Sequence, residues 1–219
     1  MSQNIKNRLI RTFIFSAIAL VIGVGVGWYQ IKMQSARVMK QGESGAQRPA
    51  PIAGLKLGGP FSLTDHRGEK VTEKTYDGQY KFIYFGFTYC PAICPTELQK
   101  VSQVMRAMEK NKPELAKTIQ PLFITIDPAR DTVPVMKDYV SLFHPRLIGL
   151  TGTQPQIDFV TKAYRVFARK VVTEEQQDYT MDHSSYLYLM SPDNQLTAIY
   201  RMDDGADFVY GDMLKRIEG

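Results

Sequence analysis

The chemistry suggested by this chain centres on Cys90 and Cys94, its only two cysteines, which have three residues between them in the stretch FGFTYCPAICPTEL. Two thiols at this spacing can form a disulfide, act as a redox switch, or supply half of a soft-metal site. A disulfide between them would close a loop of about five residues and would stabilise the fold by only about 2 kcal/mol. A purely structural bridge is therefore the least favoured of these interpretations.

A metal site needs at least one further ligand, and the chain contains three histidines. His66 falls in a predicted turn and His144 precedes Pro145 at a predicted helix end, so both are expected to be solvated surface residues. His183 lies in the stretch DYTMDHSSYLYLM, in a predicted loop directly before a strongly apolar strand. Such a loop can lie beside the loop that leaves a neighbouring strand, but position alone leaves open whether His183 is functional.

Two thiolates and one imidazole would suit copper. Thiolate is a soft donor that favours Cu(I), and imidazole accommodates copper in both oxidation states. The same three side chains could hold zinc, although a structural zinc site requires four ligands. Because thiols must lose their protons to bind a metal, binding is expected to weaken as the pH falls.

The apolar run YKFIYFGF leads into the cysteine pair, and apolar residues at helical spacing follow from Pro95 to about Asn111. In a regular helix the ring of Pro95 would clash with the carbonyl of Pro91. The segment 90–94 is therefore predicted to be a loop, with Cys94 near the N-cap and Pro95 at the first helical position. The helix dipole is then expected to favour a thiolate at Cys94.

Strands and helices alternate in the pattern of the remaining chain. Predicted strands are a hairpin of FSLT and KVTE, the runs YKFIYFGF, IQPLFITID and LIGLTG, and a late hairpin of SYLYLMS and QLTAIYR. Predicted helices are 95–111, VPVMKDYVSLF, QPQIDFVTKAYRVF and 207–217. This order predicts an α/β fold with a central mixed β-sheet flanked by helices. A central strand that ends at a cysteine pair and feeds a helix is typical of the thioredoxin-like plan.

The N-terminal region predicts one transmembrane helix. Residues 12–31 carry no charge, and a helix of about 20 residues spans roughly 30 Å, the thickness of a bilayer core. Trp28 and Tyr29 fall where an interfacial aromatic belt would lie. A cleaved signal peptide is the alternative, but the length of the run favours an uncleaved anchor.

Basic residues precede the predicted span, which indicates that 1–11 is a cytoplasmic tail and that the rest of the chain is exported. The stretch QGESGAQRPAP is typical of a flexible tether and places it at 32–51. A single domain is predicted at 52–219. Its acidic and basic residues are interspersed, which argues against a nucleic-acid-binding protein.

Further motifs follow the cysteine pair in order: IDPARDT, GLTGT with AYRV, and DYTMDHSSYLYLMSPD. A CxxxC pair alone is a weak signal, but together with FGFTYCPAICPTEL these motifs form a specific set. The chain resembles the Sco/SenC family of membrane-anchored copper chaperones, which help to assemble the copper centre of cytochrome c oxidase. The resemblance covers the predicted anchor and nearly all of the domain.

The resemblance implies a thioredoxin-like domain that binds one copper ion per chain, and it leaves open whether that ion is Cu(I) or Cu(II). It implies that the ligands are Cys90, Cys94 and His183. A metal-bound imidazole commonly donates its other N–H to a carboxylate or a carbonyl. Three aspartates in the matching motifs are the predicted supporting partners: Asp127, Asp131 and Asp182.

The resemblance also implies partners and a location. The acceptor would be the copper-bearing subunit of cytochrome c oxidase, and another protein would donate the copper. In a bacterium the anchor would lie in the inner membrane with the domain in the periplasm. In a mitochondrion the domain would face the intermembrane space from the inner membrane.

The same two cysteines are compatible with other activities. A thiol–disulfide oxidoreductase could use them to reduce the cysteines of a copper-accepting oxidase subunit. A thiol peroxidase is disfavoured because Cys94 is too close to Cys90 to be a separate resolving thiol. A non-catalytic sensor of copper or redox state is a further alternative. His183 distinguishes the copper chaperone from the oxidoreductase, because a three-ligand copper site needs this histidine and a reductase does not.

Overall fold

The computed structural model describes residues 57–172 and 179–218, together with the single residue Gly25. Apart from Gly25, the predicted tail (1–11), transmembrane anchor (12–31) and tether (32–51) lie outside the described residues. Among the helices within the described ranges, none combines the length and the apolar character needed to cross a membrane.

The described strands form a seven-stranded sheet and a separate two-stranded sheet. The large sheet contains β1 (Ser62–Asp65), β2 (Lys70–Thr72), β3 (Tyr80–Gly86), β4 (Ile119–Thr125), β5 (Ile148–Thr151), β8 (Leu187–Met190) and β9 (Leu196–Tyr200). The small sheet contains β6 (Ala168–Val172) and β7 (Tyr179–His183). The order in the large sheet is β2-β1-β5-β4-β3-β8-β9.

Helices connect these strands. They are α1 (Ile93–Asn111), α2 (Pro113–Lys117), α3 (Val133–Val140), α4 (Gln154–Ala163) and α5 (Ala206–Glu218), with a short 3₁₀ helix at Glu73–Tyr76. The predicted helix QPQIDFVTKAYRVF is shorter than expected, because the chain leaves the helix after Ala163 and Arg165 adopts a left-handed backbone with φ 53°.

The centre of the large sheet consists of β3, β4 and β5, which are parallel to one another. Strands β3 and β4 are buried along almost their whole length, as expected for parallel strands that carry helices on both faces. Strands β1 and β8 flank them in the antiparallel direction. The predicted α/β class with a mixed sheet and flanking helices is confirmed, and the arrangement is consistent with the thioredoxin-like plan.

Helix α1 begins earlier than predicted. Its first residue is Ile93 and its N-cap is Ala92, so Cys94 and Pro95 both lie in the first turn. The first backbone bond runs from the Thr96 amide to the Ala92 carbonyl. Pro95 is tolerated there because first-turn amides have no partner within the helix, and the carbonyl with which its ring would clash lies outside the helix.

The small sheet was not predicted, and it changes the place of His183. Strands β6 and β7 pair in an antiparallel register in which Ala168 lies opposite His183. His183 is therefore the last residue of a strand rather than part of a loop. Both strands are largely exposed or half-buried, so the sequence lacks the regular alternation of apolar residues that marks a strand with one buried face.

Gly86, the last residue of β3, lets the first turn of α1 pack against the sheet. A Cβ atom at this position would lie 2.8 Å from Cys94 Sγ, 2.9 Å from a ring carbon of Tyr84 and 3.1 Å from a ring carbon of Phe123. All three neighbours are buried. The close approach of Cys94 to the strand therefore requires a residue without a side chain.

We expect Gly86→Ala to destabilise the fold by about 1–3 kcal/mol, because the added methyl group overpacks a rigid part of the core. Urea unfolding of the full chain would measure this change. Gly211→Ala in α5 is a matched control, since among the described residues no atom beyond its chain neighbours and its own helix backbone lies within 4 Å of the added Cβ, and it should be neutral or stabilise by up to about 1 kcal/mol. Equal stability of the two variants would contradict this account of Gly86.

Candidate metal centre

Cys90, Cys94 and His183 come together in the folded chain. One ligand atom from each of them lies within 4.8 Å of the other two. Cys94 Sγ and His183 Nε2 are 3.6 Å apart. Within the described residues these three side chains form the one such group of histidine, cysteine and acidic residues. Their separation is short enough for a single metal ion to bind all three.

The two cysteines are placed by the end of β3 and the start of α1. Cys90 lies in the connecting loop, where its amide donates to the Phe87 carbonyl at 3.3 Å. Cys94 is completely buried, Cys90 is 8% exposed, and both are free thiols. The Cys94 amide, in the first turn of α1, donates to Cys90 Sγ at 3.4 Å. The helix N-terminus therefore faces the sulfur of Cys90.

The orientation of His183 leaves one ring nitrogen available to the cysteines. Its Nδ1 lies 3.0 Å from the Ser184 carbonyl oxygen. A carbonyl can only accept a hydrogen bond, so Nδ1 carries the proton and Nε2 presents a lone pair towards Cys94. The rings of Tyr84 and Phe87 meet the imidazole edge-on, with centroids at 6.4 and 5.8 Å. The neutral tautomer in this position is the form that binds metals.

The sulfur atoms of Cys90 and Cys94 are in different electrostatic states. A hydrogen bond from the Cys94 thiol lowers the pKa of Cys90 to about 3, with help from backbone amides and against the effect of burial. The interaction with Cys90 and the burial of its own sulfur raise the pKa of Cys94. The negative charge therefore resides on Cys90, and the proton on Cys94.

This distribution is the reverse of the expected thiolate at Cys94. The helix N-terminus does stabilise an anion, but Cys94 is a residue of the helix itself and its sulfur points into the core. Cys90 precedes the helix, so its sulfur can receive the free amides of the first turn. The hydrogen bond between the two sulfurs and the burial of Cys94 therefore have the largest effect on which thiol ionises, and the amides at the helix end add to it.

Tyr84 provides a buried hydroxyl beneath the pair. Its OH donates to Cys94 Sγ at 3.5 Å, and the side chain is fully buried. Burial raises the pKa of Tyr84, and the neighbouring Cys94 raises it further, so the phenol keeps its proton. Tyr84 and Gly86 are two residues apart in β3, so they lie on the same face of the strand. This spacing is the signal in the sequence that places Tyr84 beside the cysteine pair.

Asp131 contacts the cysteine loop rather than His183. Its carboxylate accepts from the Thr88 amide at 3.1 Å, the Thr88 hydroxyl at 2.6 Å and the Thr125 hydroxyl at 2.5 Å. Burial raises the pKa of Asp131, and these hydrogen bonds oppose that shift. Asp131 therefore joins the loop before Cys90 to the end of β4.

The other two predicted carboxylates also have partners other than His183. Asp127 accepts from the Tyr179 hydroxyl at 2.7 Å and from Arg130 Nε at 2.6 Å. Asp182 is exposed and pairs with Arg169 at 3.1 Å. The proton on Nδ1 of His183 goes to a backbone carbonyl, which is the other kind of partner that a metal-bound imidazole commonly uses.

The two remaining histidines lie elsewhere in the fold. His144 is 1% exposed, and its Nε2 is 3.2 Å from Glu109 Oε2, so the expectation of a solvated side chain was wrong. Burial lowers the pKa of His144. His66 is half-buried and accepts from the Gly149 amide at 3.2 Å. Neither residue belongs to the cluster with the cysteines.

An open groove of about 680 Å³ leads to the cluster from the His183 side. Its lining residues are Ile93, His183, Ser184, Ser185, Tyr186, Arg201, Met202 and Asp203. The cysteines do not line this groove, so a molecule within it meets His183 first.

Comparisons with known proteins agree with this fold. A family model described as SCO1/SenC matches residues 49–218. The mitochondrial protein SCO2 homolog of Bos taurus is 43% identical over 196 residues, which cover 90% of this chain and 70% of that protein. The crystal structure of Arabidopsis thaliana ScoI with copper bound is 41% identical with a TM-score of 0.69, and the match covers 74% of this chain and 98% of that chain.

The crystal structure of yeast Sco1 with copper bound is similar to the same extent. It is 39% identical with a TM-score of 0.69, over 75% of this chain and 90% of that chain. The family model covers well over half of the chain, and these relatives are well above 30% identical. The chain therefore belongs to the SCO1/SenC family.

Proposed function

We propose that this chain is a copper metallochaperone, which binds one copper ion through Cys90, Cys94 and His183 and helps to assemble the copper centre of cytochrome c oxidase. The observation that carries the proposal is the convergence of the three ligand atoms within 4.8 Å. Relatives with about 40% identity have been crystallised with copper bound. Membership of the SCO1/SenC family supports oxidase assembly as the setting.

The geometry of the cluster fits a small, soft metal ion. A d¹⁰ ion such as Zn²⁺ binds thiolate at about 2.3 Å and imidazole at about 2.0 Å. Two bonds of that length can bridge the 3.6 Å between Cys94 Sγ and His183 Nε2. Thiolate donors favour Cu(I), and the imidazole also suits Cu(II), so the site can accept copper in either oxidation state.

Copper binding is coupled to protons and to the redox state of the thiols. Cys90 is already a thiolate, whereas Cys94 must release its proton when copper binds. Acid therefore opposes binding. An oxidant that removes two electrons from the pair would join the sulfurs in a disulfide and remove two of the three ligands. The site can bind copper only while the thiols are reduced.

The acceptor in this proposal is the copper-bearing subunit of the oxidase. An anchor at residues 12–31 would hold the domain on the side of the membrane where that subunit presents its copper site. That side would be the periplasm in a bacterium or the intermembrane space in a mitochondrion. The mitochondrial names of several relatives support the second of these settings for the family members concerned.

An anaerobic Cu(I) titration of the reduced full-length chain against a competing chelator tests the proposed site. We expect one copper per chain in the wild type. Loss of a partner that merely supports a metal ligand typically weakens affinity by about 10–100-fold, so His183→Ala, which removes a ligand, should weaken binding at least tenfold.

His66→Ala is the matched control, because His66 is half-buried and its ring makes a backbone hydrogen bond away from the cysteines. It should bind copper as the wild type does. The site would be disproved by unchanged affinity in His183→Ala, or by the absence of tight binding in the wild type.

The unequal ionisation of the two cysteines favours one second candidate, a thiol–disulfide oxidoreductase. The Cys90 thiolate would attack a disulfide in the oxidase subunit and form a mixed disulfide. Cys94, after losing its proton, would attack the Cys90 sulfur. The products would be two reduced cysteines in the subunit and a Cys90–Cys94 disulfide. A thiolate at the less buried cysteine, which is 8% exposed, paired with a completely buried protonated thiol suits these roles.

The low pKa of Cys90 predicts an unusual pH profile for alkylation. An unperturbed thiol with a pKa of about 8.5 loses about 100-fold in reactivity between pH 7 and pH 5. In the reduced wild type, the alkylation rate of Cys90 by iodoacetamide should be nearly constant over that range, because the thiolate is already fully formed at pH 5. Peptide mapping by mass spectrometry would assign the modified residue.

Cys94→Ala is the companion variant, because it removes the hydrogen bond that is the largest cause of the low pKa. Its Cys90 should alkylate more slowly at pH 5 than at pH 7. A wild-type profile that matches free cysteine would show that Cys90 is not the stabilised thiolate.

A further inference from the structure

Arg130 lies in the IDPARDT loop after β4 and makes directed contacts with two other segments. Its Nε donates to Asp127 Oδ2 at 2.6 Å, and its Nη1 donates to the Tyr179 carbonyl at 2.8 Å. The side chain is only 14% exposed. Tyr179 is the first residue of β7, the strand that ends at His183. The Nε atom therefore binds the loop that contains Arg130, and the Nη1 atom binds the strand that ends at His183.

The same guanidinium group also lies over two aromatic rings. Its central carbon lies 3.7 Å from the ring centroid of Tyr179 and 4.6 Å from that of Tyr89. Tyr89 directly precedes Cys90 in the chain. Arg130 therefore lies between the residue before the first cysteine and the first residue of the histidine strand. Both contacts are of the cation–π type.

Tyr179 is bound from its other end as well. Its hydroxyl donates to Asp127 Oδ1 at 2.7 Å, while Arg130 occupies the second carboxylate oxygen. The three residues thus close a ring of contacts around one carboxylate. We call Asp127, Arg130 and Tyr179 the latch.

The β6–β7 hairpin depends on side-chain contacts for its position. Its described strands form a sheet of their own and share no ladder of backbone hydrogen bonds with the seven-stranded sheet. A cavity of about 180 Å³ separates part of it from α4, with Ile157, Thr161, Lys170 and Met181 among the lining residues. Within the described residues, side-chain contacts rather than backbone pairing therefore fix the hairpin against the body of the domain.

We propose that Arg130 is a positioning residue, which acts through the latch to hold the strand of His183 against the cysteine loop and so presents the imidazole to the two sulfurs. The inference rests on the proposed copper site, because it assigns to Arg130 the placement of that site's third ligand. A lysine could keep the charge but could not make the same two hydrogen bonds from one planar group that also lies over two rings.

A double-mutant cycle on Cu(I) affinity in the full-length chain tests this role. Arg130→Lys and Tyr179→Phe should each weaken binding, and for Arg130→Lys we expect about tenfold or more, the range found for residues that orient a metal ligand. In a His183→Ala background Arg130→Lys should change the affinity less than about twofold, because the ligand that it positions is absent. An equal loss in both backgrounds would overturn the proposal.

A second measurement on the metal-free protein does not depend on copper. The ring signals of the three histidines can be followed by NMR. In Arg130→Lys the signals of His183 should shift or broaden, while those of His66 and His144 stay in place and serve as internal references for an intact fold. Unchanged His183 signals would overturn the latch even if copper binds as proposed. Failure of the wild type to bind copper would instead overturn the proposed function.

Arg169→Lys provides the matched control for both measurements. Arg169 lies on β6 of the same hairpin and pairs with Asp182, next to His183, but its side chain is 66% exposed. Exposed ion pairs contribute little, so this variant should leave copper affinity and the His183 signals unchanged. An effect as large as that of Arg130→Lys would show that replacing any arginine that contacts the hairpin by lysine suffices, and would also overturn the latch.

Discussion

A single buried carboxylate, that of Asp131, joins the segments on which the cysteine pair depends. Thr88 and Thr125 donate three hydrogen bonds to it, from the loop before Cys90 and from the end of β4. Its own backbone carbonyl accepts from the Thr151 hydroxyl at the end of β5. A buried carboxylate without donors is costly, so these segments cannot separate freely. The carboxyl ends of three neighbouring parallel strands are therefore held together beside the cysteines.

The two sulfurs differ because the same scaffold surrounds them unequally. Cys94 packs on Gly86 within the core, whereas Cys90 lies outside the helix end and receives its amide hydrogen bond. One sulfur is ready to bind a metal or attack a disulfide, and the other must first lose a proton. The same difference in protonation between the two sulfurs would serve both metal binding and thiol exchange.

His183 reaches the cysteines by a different route. The strand that carries it belongs to a separate two-stranded sheet, and its register with β6 places the imidazole at the end of the hairpin. The Ser184 carbonyl sets the tautomer, and the rings of Tyr84 and Phe87 limit the tilt of the imidazole. A candidate metal site built from two structural units in this way can bring an imidazole near the sulfurs without placing it in the rigid central sheet.

The sequence by itself determined the central strands, the cysteine pair at the end of β3, the main helices and the family, because long apolar runs and ordered motifs are local signals. It did not determine the β6–β7 hairpin, since short, half-exposed strands are stabilised by side-chain contacts such as those of Arg130 with Tyr179. Nor could it predict that His144 is buried, because that depends on neighbours distant in the chain. It also could not place the thiolate on Cys90, because that depends on how the two sulfurs lie relative to each other and to the start of α1. Local patterns specify the elements, whereas electrostatic states and the meeting of Cys90, Cys94 and His183 arise only when those elements pack.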